Sequence, residues 1–172
     1  MHKKFSYIIG LAALLLASGN DAQAAQGTAT ASIGSPIGLS ILSDLAFGTI
    51  VPGTGGTVII NPDQPDSQSR TSTGAVIRVS SDYHPALFSI IGDKRQTYHV
   101  RSVPNNINIT KIGGTETMRV TFSFSNNLDG GQHGRLDNTG NGSFKIGGTL
   151  TVAANQAAGT YTGTFPVTVQ YN

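Results

Sequence analysis

The sequence predicts an all-β protein, a single Ig-like or pilin-like β-sandwich of about seven to nine antiparallel strands. Two patterns predict it: from Gly27 onward apolar residues alternate with polar ones, and Gly, Pro, Asn or Asp interrupts the alternation about every eight to fifteen residues. No segment sustains a helical period. The composition agrees, because 22 Gly, 7 Pro and only 12% charged residues are typical of many short strands joined by turns.

The first 24 residues predict a secretory signal peptide. A basic start is followed by the apolar run Tyr7–Ala17 and by the small-x-small exit Ala22–Ala24. We therefore expect cleavage after Ala24 and a mature domain of residues 25–172. The apolar run is shorter than a membrane span needs, and no later segment approaches about 20 apolar residues. These features predict an exported protein, periplasmic, cell-surface or secreted, with no transmembrane segment in the mature chain.

Charge and cysteine content narrow the classes of function. The chain has 11 basic and 9 acidic residues, and the predicted leader carries two of the lysines and one aspartate, which leaves 9 basic and 8 acidic residues and a net charge of +1. The basic residues are scattered, so the sequence predicts no nucleic-acid partner. The absence of cysteine excludes a disulfide-stabilised scaffold, and stability must come from packing and sheet hydrogen bonds.

Two segments predict the clearest strand faces. Thr117–Ser125 places Met118, Val120, Phe122 and Phe124 on one side, as expected of a strand with one face in the core. Thr160–Tyr171 is the longest alternating run, and Pro166 within it predicts a bulge or an edge strand because proline has no N–H to donate. The other predicted strands are Thr28–Ile33, Ile37–Leu42, Thr57–Ile60, Ala75–Ser80, Leu87–Ile91, Thr97–Val103, Ile107–Ile112, Ser143–Ile146 and Thr149–Val152.

Loops and turns are predicted from polar and glycine-rich stretches. Residues 61–73 and 126–142 are the two longest polar stretches and predict exposed loops. Gly-Gly-Thr precedes a predicted strand at residues 55–57, 113–115 and 147–149, which predicts a turn at each position.

Neither catalysis nor a metal site is predicted. The mature histidines are isolated in sequence, no G-x-S-x-G elbow occurs, and no thiol exists. A glycine-rich loop carries oxygen ligands that calcium favours, but the glutamate that ends an EF-hand loop is missing, so a hairpin turn with Asx capping is the favoured interpretation. We predict no cofactor. The candidate ligands considered are His84, His99, His133, Asp129, Asp137, Asn138 and Asn141.

Three segments carry a family resemblance. They are Asp44–Ile50 (DLAFGTI), Phe144–Val152 (FKIGGTLTV) and Ala158–Asn172 (AGTYTGTFPVTVQYN). Together they resemble the bacterial exported domain-of-unknown-function 4402 family, over nearly the whole mature chain. The family is defined by sequence, so the resemblance implies the domain type and no particular reaction.

The last segment also looks like the end of spore-coat-U-type and other chaperone–usher pilins. That resemblance implies a partner strand or periplasmic chaperone facing the row Tyr161, Phe165, Val167, Val169 and Tyr171. It also implies an usher or like subunits as partners. The alternation of Ala29, Ala31 and Ile33 near the mature N-terminus is what a donor strand needs.

The resulting functional hypothesis is an exported, non-catalytic structural or adhesive surface protein. It is either a self-complete β-sandwich or a fimbrial-type subunit that associates by β-strand addition. The alternative is a periplasmic or secreted ligand-binding module, specific for carbohydrate or dependent on calcium. A hydrolase is the least favoured interpretation.

Overall fold

A computed structural model describes residues 30–130 and 132–172. Contacts divide the chain into residues 1–33 and 34–172, and all strands of the described residues belong to the second unit. The described residues hold thirteen strands, one 3₁₀ turn at Asp66–Gln68 and no α-helix. The strands are β1 (Gly38–Ser43), β2 (Ile50–Val51), β3 (Gly56–Ile60), β4 (Arg70–Gly74), β5 (Ile77–Arg78), β6 (Ala86–Ile91), β7 (Thr97–Arg101), β8 (Asn106–Lys111), β9 (Thr117–Phe124), β10 (His133–Arg135), β11 (Asn141–Val152), β12 (Tyr161–Thr162) and β13 (Thr168–Tyr171).

The strands form one large antiparallel sheet and two small ones. The large sheet has the order β1-β6-β11-β9-β8-β12, with β3 pairing with β11 and β4 with β3. The small sheets are β10-β7-β13 and β2-β5. Side chains of the large sheet and of β7 and β13 pack in one common apolar cluster. The predicted all-β sandwich class is therefore confirmed.

Strand β11 organises the large sheet. One of its edges pairs first with β6, over Asn141–Ile146, and then with β3, over Gly148–Val152, while its other edge pairs with β9. Gly147 lies where the two partners meet. A Cβ at Gly147 would lie 2.2 Å from the carbonyl oxygen of Ile60, so only glycine lets β3 end this close. The predicted turn at residues 147–149 is therefore wrong: these glycines lie inside a continuous strand.

Two apolar clusters form the core. In the first, residues of β6, β7 and the first half of β11 pack together, with the rings of Phe88 and Phe144 stacked at a centroid distance of 5.0 Å. The second joins β3, β9 and the second half of β11, and includes Val58, Val120 and Leu150. Phe122 packs against both clusters. The predicted inward face of β9 is confirmed, since its alternate residues are the ones that lie inside.

The thirteen strands exceed the predicted seven to nine in part because the two polar stretches are not simple loops, and in part because β2 was not predicted and the C-terminal run is divided into β12 and β13. Residues 70–73 belong to β4, and Ser69 and Arg70 before and within it are buried. Residues 126–142 contain β10 and bury Leu128 and Leu136 in the first cluster. Isolated apolar side chains in a polar stretch carry no period, so the sequence did not reveal that they enter the core.

Arg70 fixes the segment that precedes β2. Its guanidinium donates to the carbonyl oxygen of Phe47 at 3.0 Å and to that of Ser80, and lies 4.0 Å from the ring centroid of Tyr83. Burial lowers the pKa of Arg70. A Cβ at Gly48, whose φ is +72°, would lie 2.6 Å from this guanidinium, so glycine is required there.

Gly147→Ala is expected to lower the free energy of unfolding by about 1–3 kcal/mol, because the added methyl group overlaps the end of β3. Gly38→Ala is the matched control, since its Cβ would lie 3.7 Å from the nearest atom, an ordinary contact. Urea unfolding of both variants measures the difference. Equal stability of the two variants would contradict the close approach of β3 to β11.

Candidate functional site

An apolar groove lies between β1 and the segment that precedes β13. It is an open cleft of about 330 Å³ lined by Leu39, Ile41, Asp44, Phe88, Gly163, Thr164, Phe165 and Val167. Strand β1 lies at the end of the large sheet, and among the described residues β6 is the strand paired with it. Ile41 and Leu42, next to its bulge, are 53% and 63% exposed. The groove thus combines apolar side chains with an exposed strand edge, the two features that strand addition uses.

The C-terminal segment passes from one sheet to the other. Strand β12 pairs with β8 in the large sheet, and β13 pairs with β7 in the small sheet. Both β12 and β13 are terminal strands in their sheets, and Pro166 lies in the unpaired residues between them. The expected bulge or edge strand at Pro166 is therefore wrong: Pro166 interrupts the run expected at Thr160–Tyr171, which forms two short strands instead of one long one.

The predicted partner-facing row points into this protein's own core. Tyr161 packs on the second cluster and the other members pack on the first, and each is half-buried while the residues between them are exposed. The ring of Phe165 lies 4.4 Å from that of Phe122, centroid to centroid. The row is Tyr161, Phe165, Val167, Val169 and Tyr171. Its role toward a chaperone or another subunit stays a prediction, since no partner chain is present.

The hydroxyl of Tyr171 joins three parts of the fold. It accepts from the backbone N–H of Asp93 at 2.6 Å and donates to the carbonyl oxygen of Ser35 at 3.1 Å. The N–H of Ser35 in turn donates to both carboxylate oxygens of Asp93, at 3.0 and 3.1 Å. This cluster fixes the residues before β1 against the C-terminal strand.

The predicted donor strand is only partly described. Ala29 lies outside the described residues, and Ala31 and Ile33 lie in residues 30–33, to which no strand is assigned. Their role as a donor strand stays a prediction, since no partner chain is present.

A second surface of functional interest is the outer face of the β10-β7-β13 sheet. His99 and His133 are directly opposite each other on neighbouring strands, with ring centroids 4.2 Å apart. The side-chain nitrogens of Asn172 and His133 lie 2.9 Å apart. Beside them is an open cleft of about 390 Å³ lined by Thr97, Asn126, Asn127, Asp129, His133, Gly134 and Arg135. Sequence reasoning missed this pairing because 34 residues separate the two histidines along the chain.

The candidate calcium loop forms an Asx-capped turn, as the favoured interpretation predicted. One carboxylate oxygen of Asp137 accepts from the hydroxyl and the N–H of Thr139, each at 2.7 Å, and from the N–H of Asn141 at 2.9 Å. These hydrogen bonds, with the Thr139 hydroxyl first, lower the pKa of Asp137. Within residues 30–130 and 132–172, no three His, Asp or Glu side chains are grouped as a metal site would need.

The geometry defines a class: an all-β sandwich domain with an exposed strand edge beside an apolar groove. The family model described as domain of unknown function DUF4402 matches residues 37–171, and the chain belongs to that family. Searches of curated proteins and of solved structures gave no significant match. In the part of the chain that the structure describes, no helix has the length and hydrophobicity to cross a membrane.

Tyr171→Phe is expected to lower the free energy of unfolding by about 1–2 kcal/mol, since the N–H of Asp93 and the carbonyl of Ser35 lose a common partner. Tyr83→Phe is the control, because its hydroxyl makes one exposed bond, to the carbonyl of Ser67. Thermal and urea unfolding compare the two. Faster exchange of the Asp93 amide in the Tyr171 variant is expected as well, and unchanged exchange would contradict the cluster.

The Asp137 turn is expected to open in acid. Because the folded-state pKa lies below the unfolded one, the carboxylate stabilises the fold above the unfolded pKa, and this contribution is lost as pH falls through the folded pKa. An NMR titration of the Asp137 carboxyl measures the folded value, which should lie below the usual value of about 3.9. Thr139→Val should raise it. Titration of wild-type Asp137 at or above the usual value would show that these hydrogen bonds are not formed.

Proposed function

We propose that the chain is an exported, non-catalytic structural protein of the cell surface that associates by β-strand addition. The observation that carries the proposal is the exposed edge of β1 beside the apolar groove. The acceptor is the edge of β1 together with the groove, and the donor is the N-terminal segment 25–33 of a second copy. A fimbrial-type assembly aided by a periplasmic chaperone and usher is one form of this function, and an adhesive surface layer is another.

The acceptor has the chemistry that a donated strand requires. Backbone groups along the outer edge of β1 offer a six-residue hydrogen-bonding ladder. The side chains of Leu39, Phe165 and Val167 form an apolar lining that alternate residues of an added strand would cover. An uncovered strand edge of this kind favours aggregation. A specific partner strand that covers the edge of β1 explains why the protein retains such an edge.

The donor has a suitable length. Segment 25–33 has nine residues, enough to lie along six-residue β1. The last residue pair of β1 with β6 is Gly38 and Ile91. Beyond this pair, the N–H of Ser35, before β1, still donates to Asp93, after β6. Ser35 is thus bound through Asp93, which follows β6, and the outer edge of β1 is left for a strand from a second copy.

Cysteine pairs test the donor and the acceptor together. The chain has no cysteine, so Ala31→Cys and Ile41→Cys variants of residues 25–172 each carry one thiol. The two variants are mixed and oxidised, and the yield of the disulfide dimer between them is measured. This yield should exceed that of a control mixture of Ala31→Cys with Thr121→Cys, since Thr121 lies on the outer face of β9. Equal yields would contradict donation into this groove.

A surface substitution tests the groove without cross-linking. Ile41→Asp should convert oligomers of residues 25–172 into monomers, as should deletion of residues 25–32. Ile112→Asp should leave oligomers intact, since Ile112 is 64% exposed and outside the groove. Light scattering and cooperative unfolding measure both effects. A wild-type protein that is already a monomer with a sharp unfolding transition would favour a self-complete sandwich instead.

A further inference from the structure

The outer face of the β10-β7-β13 sheet gathers basic side chains. Along β7 the outward residues are Thr97, His99 and Arg101, and β10 adds His133 and Arg135. Arg95 lies just before β7, and the Nε of Arg135 donates to the carbonyl oxygen of Arg95 at 3.1 Å. We call Arg95, His99, Arg101, His133 and Arg135 the basic face. The predicted mature chain has a net charge of only +1, so this is a local concentration of positive charge.

The guanidiniums of the basic face are bound by neutral groups. Arg95 Nε donates to the side-chain oxygen of Asn138 at 2.6 Å. The side-chain oxygen of Gln170 accepts from Arg101 Nε at 2.8 Å and from Nη2 at 3.2 Å, in the amide orientation that satisfies both residues. These contacts orient the side chains without neutralising their charge. Asp129 borders the face, and its carboxylate accepts from the backbone N–H of His133 at 2.8 Å.

The spacing of the guanidiniums fits an extended ligand. Arg135 is opposite Thr97, and Arg101 is four residues further along β7, which separates their backbone positions by about 13 Å along the strand. Their guanidiniums are held on opposite sides of β7, that of Arg135 at the carbonyl oxygen of Arg95 and that of Arg101 at Gln170 of β13. A ligand that contacts both guanidiniums is therefore extended. The two imidazoles lie between Arg135 and Arg101, so arginine and imidazole side chains form a stripe along β7. A stripe of this length fits a chain that carries an anionic group at repeated intervals.

We propose that the basic face binds an acidic polysaccharide whose sugars carry carboxylates. Arginine forks match carboxylates, and the adjoining Thr97, Thr168 and Gln170 offer hydroxyl and amide groups for sugar hydroxyls. A single-stranded nucleic acid fits less well, because its bases need aromatic platforms and the tyrosines of β7 and β13 face inward. This function is independent of strand addition, since the basic face and the groove have no lining residue in common.

Binding of polygalacturonate to the full chain tests the proposal, with dextran as the neutral probe and poly(dT) as the nucleic-acid probe. We expect binding to polygalacturonate alone, weakened by salt. Arg101→Gln and Arg135→Gln should each weaken it about two- to fivefold, and the double variant should weaken it more. Arg101→Lys should restore part of the affinity, and equal melting temperatures verify that the variants are folded.

Arg119→Gln is the matched control, because it removes one exposed arginine from the outer face of β9. It should leave the affinity unchanged. An equal loss in this variant would show that net charge and not the basic face drives binding. Equal or tighter binding of dextran or poly(dT), or no binding of polygalacturonate, would overturn the proposal.

Discussion

The fold depends on the close approach of three strands to the middle of β11. One edge of β11 pairs with β6 and then with β3, while β9 pairs along the other edge. Glycine at 147 makes this geometry feasible, because a side chain would overlap the last carbonyl of β3. The same change of partner divides the core, since the cluster around Phe144 lies before Gly147 and the cluster around Leu150 lies after it. Large apolar residues such as Phe122 then join the two clusters.

The segments that carry the family resemblance lie at structural junctions. Gly147 and Gly148 belong to the β11 segment, and Gly48 belongs to the segment that receives the Arg70 guanidinium. The third segment, 158–172, crosses between the sheets. Each needs particular residues for backbone geometry or packing. The residues that carry the resemblance are therefore ones that this fold needs, and the exposed groove and face have to be tested for function separately.

Local patterns in the sequence predicted much of the fold. The alternation of Met118, Val120 and Phe122 is a local pattern that depends on one strand alone, so β9 and its buried face could be predicted. The merging of two predicted strands through Gly147 could not, because a glycine pair is equally typical of a turn and only the arrival of β3 decides between them. The His99–His133 pair depends on the register of β10 with β7, which joins distant parts of the chain. The groove similarly requires knowing that β1 and residues 163–167 are neighbours.

The C-terminal segment explains how the sandwich can complete its core and still leave the outer edge of β1 uncovered. Its alternate residues, such as Val169 and Tyr171, pack into the first cluster, and the hydroxyl of Tyr171 secures the residues before β1. The core is thus closed on this side without covering the outer edge of β1. Residues 163–167 leave the sheets between β12 and β13, because Pro166 cannot donate to a ladder, and they form the opposite side of the groove. The crossing that completes the core therefore also creates the groove beside β1.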